Sequence, residues 1–179
     1  MSMAEPVVGV VMGSDSDLEV MRPAVDALAE FDLTAEVRVL SAHRTPDAAL
    51  SWAREAVDRG LRVIIAGAGG AAHLPGVLAA VTSLPVVGVP INATPMNGMD
   101  ALMAIAQMPS GVPVACVAVD GGRNAGLLAV RILAAGDAEL LGRYDAFRAE
   151  LAGKVREKDE RVRSEFEHRR TAGAPFGFR

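Results

Sequence analysis

Three short segments concentrate the polar and titratable chemistry of this chain: Gly13-Ser-Asp-Ser-Asp17, Ser41-Ala-His-Arg-Thr-Pro46 and Ile64-Ile-Ala-Gly-Ala-Gly-Gly-Ala-Ala-His-Leu-Pro-Gly76. In each, an apolar run gives way to small or polar residues, and in the last a glycine-alanine loop delivers a histidine. Imidazole titrates near neutrality, so His43 is the first candidate for a proton shuttle, against the plainer reading of an ordinary loop histidine. Arg44 beside it either grips a phosphate through two parallel hydrogen bonds or forms a surface ion pair. His73 either caps the helix that follows it or lines the same pocket. The Gly-rich run itself forms a loop fit for a ligand or simply lets a helix pack closely on a strand.

The first segment reads two ways. Gly13 lets backbone approach a ligand, and Ser14 and Ser16 offer hydroxyls and helix-start amides suited to an anion. Asp17 repels phosphate but accepts hydrogen bonds from sugar hydroxyls, which suits a ribose. Equally, Ser-Asp at a helix start is the preferred capping chemistry.

Composition removes several function classes. Both lysines, Lys154 and Lys158, lie late in the chain, so its body lacks the lysine of a Walker-type phosphate loop or a Schiff-base site. No Trp, Tyr or Phe occurs between Trp52 and Tyr144, which speaks against a stacked flavin. Cys116, the only cysteine, excludes an internal disulfide and a thiolate-rich metal site and reads as a packed core thiol. Two histidines without a His-x-Glu pattern make an incomplete metal site, so no required metal is expected. Residues 1–150 hold 10 Arg against 17 acidic residues, a net of −7, and residues 151–179 a net of +3, which disfavours a nucleic-acid face on the body. With no apolar run of about 18 residues and no secretory pattern at the start, the expectation is a cytoplasmic protein away from membranes.

These segments need elements to position them. Val7–Met12 is a short β-branched run, the mark of a strand covered on both faces. Leu18, Met21, Val25 and Leu28 then recur at helical spacing within a helix predicted over 17–31, with Pro23 in its first turns. The alternation continues with strands near 34–40, 62–68, 85–90 and 114–119 and helices near 46–59, 74–82, 98–107 and 123–135. Five strands alternating with helices predict a flavodoxin-like three-layer αβα fold around a five-stranded parallel sheet, whose ligands sit beyond the carboxyl ends of the strands. All three segments fall at such ends. A charged helix over 137–168 follows, with apolar Leu140, Leu141, Tyr144, Phe147, Leu151 and Val155, and it either packs back on the domain or joins a neighbouring subunit. Residues 171–179, with two Gly, one Pro and two Phe, read as irregular. The chain is expected to form a single domain over 1–179, its core about 6–136.

Taken together, the three segments closely resemble the class I N5-carboxyaminoimidazole ribonucleotide mutases of de novo purine (IMP) synthesis. Further similarity runs through Pro85-Val-Val-Gly-Val-Pro90, Gln107-Met-Pro109 and Gly111-Val-Pro-Val114, so the match spans about Val7 to Leu141. The resemblance implies an isomerase that moves a carboxylate from the exocyclic nitrogen of a ribonucleotide to C4 of its imidazole, without a cofactor. It implies a homo-octamer with sites between subunits and a functional coupling to the ATP-dependent synthetase that makes the substrate. By family position, His43 is the general acid and base, and Ser14, Asp17 and Arg44 hold the ribonucleotide. The Gly67–Ala72 loop forms a carbon dioxide pocket, and His73 is a pocket wall with a supporting polar role. Ser16, Ser41, Gly69, Gly70, Ala71 and Leu74 complete the expected substrate contacts.

The chain departs from the family pattern at Ile91–Gly98 and at Asp120-Gly-Gly-Arg-Asn124, where the family is richer in small residues, and Asn92–Gly98 falls where it could line the site from an adjacent strand end. Two rival readings are weaker. Direct carboxylation of aminoimidazole ribonucleotide, the class II activity of the same fold, goes with a lysine where this chain has Arg44. A phosphoacceptor receiver needs an aspartate ending strand three and a lysine ending strand five, where this chain has Ala66-Gly-Ala and Val119-Asp-Gly.

Overall fold

The computed structural model describes residues 5–171. Five strands, β1 (Val8–Met12), β2 (Ala35–Val39), β3 (Val63–Gly69), β4 (Val86–Ile91) and β5 (Ala115–Cys116), form one sheet in the order β2-β1-β3-β4-β5. Every pairing is parallel, with Val8 opposite both Ala35 and Val63, and Ile64 opposite Val86. This is the flavodoxin-like order expected from the alternation. Residues 8–12 and 86–91 are buried throughout, as their continuous Val and Ile runs require of strands covered on both faces.

Helices α1 (Leu18–Ala29) and α5 (Gly122–Ala134) cover one face, where Met21 and Leu28 meet Val10, Ile65 and Val89. They lie close because residue 122 is glycine; a Cβ there would run into the Val20 carbonyl. Helices α2 (Pro46–Arg54), α3 (Leu74–Ala79) and α4 (Met99–Ala106) cover the other face, packing Trp52, Leu74, Leu78 and Ile105 over Val11, Ile64 and Ala66.

Several boundaries differ from the expected ones, each for a local reason. Strand β5 was expected over 114–119 but is two residues long. Val117 N–H still donates to the Gly88 carbonyl at 3.1 Å, but the next donor facing β5 would be residue 90, a proline without an N–H. The chain then slips by one, and Asp120 N–H reaches the Pro90 carbonyl at 2.9 Å. Helix α2 stops at Arg54 rather than Arg59, and the following turn ends at Gly60, φ 86°, with Leu61 N–H on the Ala56 carbonyl and Gly60 N–H on that of Val57. Helix α3 ends at Ala79 rather than Thr82, whose hydroxyl takes the Leu84 N–H at 3.2 Å and turns the chain toward β4.

The last helix, α6 (Ala138–Thr171), is 34 residues long. Asp137 caps it, its Oδ1 accepting the N–H groups of Glu139 and Leu140 at 3.0 Å. Of the two alternatives left open by the sequence, packing back on the domain is met in its first turns. Its first turns pack back on the domain, with Leu140 buried and Tyr144 and Phe147 against Phe31 at ring-centroid distances of 5.8 and 5.7 Å. Beyond them Leu151, Val155 and Val162 are exposed. The apolar residues recur every 11 positions (140, 151, 162 and 144, 155, 166), a period that keeps a stripe straight along one helix face. Thr171, expected to be irregular, is the last residue of α6, and 172–179 lie outside the described residues.

Candidate active site

Strands β2, β1 and β3 are neighbours, so the loops that leave their carboxyl ends converge. Between them lies a cavity of about 240 Å³, lined by residues of all three predicted segments. Ser14, Ser16, Asp17, Ser41, His43, Arg44, Gly69, Ala71 and Leu74 all contribute to its wall. Gly70 and His73 do not. Gly70 shapes the loop instead, its φ of 59° being a conformation that favours glycine.

The first loop is built by capping. Ser14 Oγ accepts the Ser16 N–H at 3.4 Å, and Asp17 Oδ2 accepts the Ser14 N–H at 3.1 Å, so a single 3-10 turn over Asp15–Asp17 carries the chain from β1 into α1. Asp17 therefore closes the cap, and it also lines the cavity. It is the only buried charged residue described, and burial pushes its carboxyl above the ordinary value, with hydrogen bonds from Ser14 N–H and the Ser16 hydroxyl opposing that push.

The second loop is held by Ser41 and Thr45. Ser41 Oγ accepts the N–H groups of His43 at 3.3 Å and Arg44 at 3.1 Å, and Thr45 Oγ1 accepts the Ser41 N–H at 2.9 Å. Pro46 then opens α2 at a position where its missing N–H costs nothing. Arg44 Nη2 donates to the Gly13 carbonyl at 3.1 Å, and among the described residues it has no carboxylate partner. The surface ion pair that the sequence left open does not form, and most of the guanidinium donors have no carboxylate partner among the described residues.

His43 and His73 meet. Their rings stand 86° apart in plane, with His43 Nε2 2.8 Å from His73 Nδ1, and both side chains are exposed. One proton bridges the two nitrogens, so the tautomer of either ring is set by the other. His73 sits at the N-terminal end of α3 without capping it through its side chain. No third potential metal ligand joins the pair, and among the described residues no group of three or more His, Cys, Asp or Glu comes together.

The lining also includes Gly13, Ala42 and Ala68, which lie within the three predicted segments, and Ala93, which lies outside them. Ala93 follows β4, inside the segment that departs from the family pattern. It enters because residue 69 is glycine; a Cβ there would stand 2.6 Å from that of Ala93. A contact between two small residues 24 positions apart leaves no periodic trace in a sequence.

Known proteins resemble this chain over most of its length. A family model described as AIR carboxylase matches residues 7–154. The N5-carboxyaminoimidazole ribonucleotide mutase of Mycobacterium tuberculosis is 61% identical over 154 residues, covering 86% of this chain and 88% of that protein. The protein of the same name from Mycobacterium leprae is 59% identical over 155 residues, 87% of this chain and 91% of its own length. Among solved structures, PurE of Treponema denticola superposes with a TM-score of 0.79 at 29% identity, covering 88% of this chain and 98% of that one.

Proposed function

The chain belongs to the AIR carboxylase family, and from that premise we propose that it is an N5-carboxyaminoimidazole ribonucleotide mutase of purine biosynthesis. In this reading it converts N5-carboxyaminoimidazole ribonucleotide into 4-carboxy-5-aminoimidazole ribonucleotide. The observation that carries the reading is the position of His43: its ring lines a cavity shared with Asp17, Ser14 and Arg44 while its Nε2 is held by His73.

The chemistry follows from the substrate. Breaking the carbamate C–N bond releases carbon dioxide and leaves an electron pair on the exocyclic nitrogen, which His43 protonates. The ring is then electron-rich at C4, because the amino group donates into it, and C4 attacks the carbon dioxide. His43 finally removes the C4 proton and is restored. One proton is given and one taken, with no net redox change, so the sequence of steps calls for no cofactor.

The remaining residues contain and orient. Ala68, Gly69 and Ala71 present an apolar wall against which carbon dioxide is retained. Arg44, with the Ser14 and Ser41 hydroxyls beside it, suits the phosphate, and the Asp17 carboxylate suits ribose hydroxyls. Ser16, Gly70, His73 and Leu74 complete the set by contact or by shaping the loop.

The same reading takes the protein to be a cytoplasmic homo-octamer with sites between subunits, supplied by an ATP-dependent synthetase. Exposed apolar side chains favour an assembly: Val37 and Val39 on edge strand β2, and Met96, Met99 and Met103 at helical spacing on and before α4.

The deciding experiment is turnover of N5-carboxyaminoimidazole ribonucleotide without ATP, metal or bicarbonate. Rapid conversion by the wild type is expected. Inactivity, together with carboxylation of aminoimidazole ribonucleotide by free carbon dioxide, would assign the direct carboxylase reaction instead.

A further inference from the structure

The glycines around the site are there for different reasons. A Cβ on Gly69 would meet Ala93 at 2.6 Å and the Ile91 carbonyl at 3.0 Å, and Gly70 has φ 59°, so the fold itself demands both. Gly13 is unlike them. Its φ is not in the left-handed region, and a Cβ there would meet only Asp17 Oδ2, at the ordinary distance of 3.9 Å. Nothing in the folded chain fills the place of the missing side chain.

That place lies between two cavities. The one beside His43 measures about 240 Å³, and an adjoining one of about 310 Å³ reaches Asp15, Val39 and Thr45. Gly13, Ser14, Ser41 and Arg44 belong to both walls. The Arg44–Gly13 hydrogen bond thus belongs to the wall that the two share, with its acceptor on the residue that has no side chain. The inner cavity alone falls below the ~300 Å³ at which small-molecule sites usually begin.

We propose that Gly13 is a specificity-determining residue, whose bare Cα is the saddle over which one ribonucleotide lies across both cavities. The inference rests on the ribonucleotide reading above and adds a pose to it. The imidazole faces His43 and the apolar wall in the inner cavity. The phosphate lies in the outer one, where Arg44 and the Ser41 hydroxyl outweigh the Asp15 carboxylate, itself engaged by Ser14 Oγ–H at 3.3 Å. The ribose crosses Gly13 beside Asp17. A methyl group at residue 13 would occupy the ribose position without touching the fold.

The test compares wild type and Gly13→Ala by calorimetric titration with ribose 5-phosphate, by thermal unfolding and by mutase turnover. Alanine fits the backbone, so the melting temperature is expected to be unchanged or slightly raised, while ribose 5-phosphate affinity falls about tenfold or more and KM rises in step. Wild-type affinity in Gly13→Ala overturns the inference, and so does a wild type that does not bind ribose 5-phosphate. A wild type that binds the sugar phosphate but does not turn over the carbamate would defeat the mutase reading and leave the pose to be judged on binding. Should Gly13→Ala misfold, a crystal structure of the wild type with ribose 5-phosphate decides: sugar atoms in contact with the Gly13 Cα support the saddle, and a ligand confined to one cavity overturns it.

Discussion

His43 Nε2 stands 2.8 Å from His73 Nδ1, so two residues 30 positions apart share one proton at the rim of the cavity. A proton accepted by one ring is felt at once by the other. The pair, rather than His43 alone, is the unit that would exchange protons with a substrate.

Replacing His43 by Asn should therefore leave the fold intact, because the side chain is exposed, and lower kcat by roughly 10²–10⁴-fold, the usual contribution of a positioned general acid and base. Parallel measurement of turnover and ribonucleotide binding checks this. A variant that binds normally and turns over at a near-normal rate would remove His43 from the mechanism.

Coupling within the pair makes the effects of the two histidines non-additive. His73→Ala should lower kcat in the wild-type background by less than His43→Asn, since it frees the ring without removing it. Added to His43→Asn, it should cost almost nothing more. The double-mutant cycle on kcat reads this directly, and additive losses would mean that the hydrogen bond plays no part in turnover.

Arg44→Ala should act on binding. A charge-assisted hydrogen bond contributes about 1.5–3 kcal/mol, so KM should rise roughly 10- to 150-fold with a smaller change in kcat. Steady-state kinetics at two salt concentrations would also show a weaker salt dependence of KM than in the wild type.

Much of this was legible in the sequence because the fold obeys two short-range rules. Continuous Val and Ile runs mark strands buried on both faces, and the parallel alternation with helices leaves few strand orders. Those rules bring Asp17, His43 and the Gly69–Leu74 loop to one edge without any knowledge of side-chain geometry. What escaped depends on partners distant in sequence. The shortness of β5 comes from Pro90, on a different strand, and that Ala93 is the residue of Asn92–Gly98 that lines the cavity depends on the room left by Gly69. The two histidines were both visible, but their contact depends on the exit angles of two loops, which spacing does not encode.

The buried Asp17 carries a pH signature. Its folded pKa is raised above the ordinary 3.8, chiefly by burial, so the folded chain binds this proton more readily than the unfolded one. Asp17 therefore disfavours folding at pH above its folded value, and the penalty fades as pH falls from that value through 3.8. Asn keeps an oxygen for the Ser14 N–H and carries no charge. Asp17→Asn should thus be at least as stable as wild type in urea at pH 7, with the difference closing toward pH 3, while KM for the ribonucleotide rises. Glu36 has the opposite sign: hydrogen bonds from Trp52 and Arg59 outweigh its burial and hold its pKa below the ordinary 4.5. Its contribution is present above that value and lost as pH falls through the lowered one, so comparison with Asp17→Asn must be made at each pH rather than across pH.

Helix α6 divides along its length into a packed part and an exposed one. Its hold on the domain lies in the first turns, through Leu140 and the cluster of Phe31, Tyr144 and Phe147, whereas Leu151, Val155 and Val162 are 46%, 63% and 49% exposed. The family match also ends at residue 154. A chain ending at Lys154 should keep its melting temperature within about 2 °C of the full-length protein, since exposed helix adds little to a packed core. Phe147→Ala, which empties the space beside Phe31, should lower it by about 5 °C or more. Sedimentation of the two chains completes the comparison: an unchanged particle size would confine the distal stripe to its own helix, and a smaller particle would show that Leu151, Val155 and Val162 are covered by a second copy.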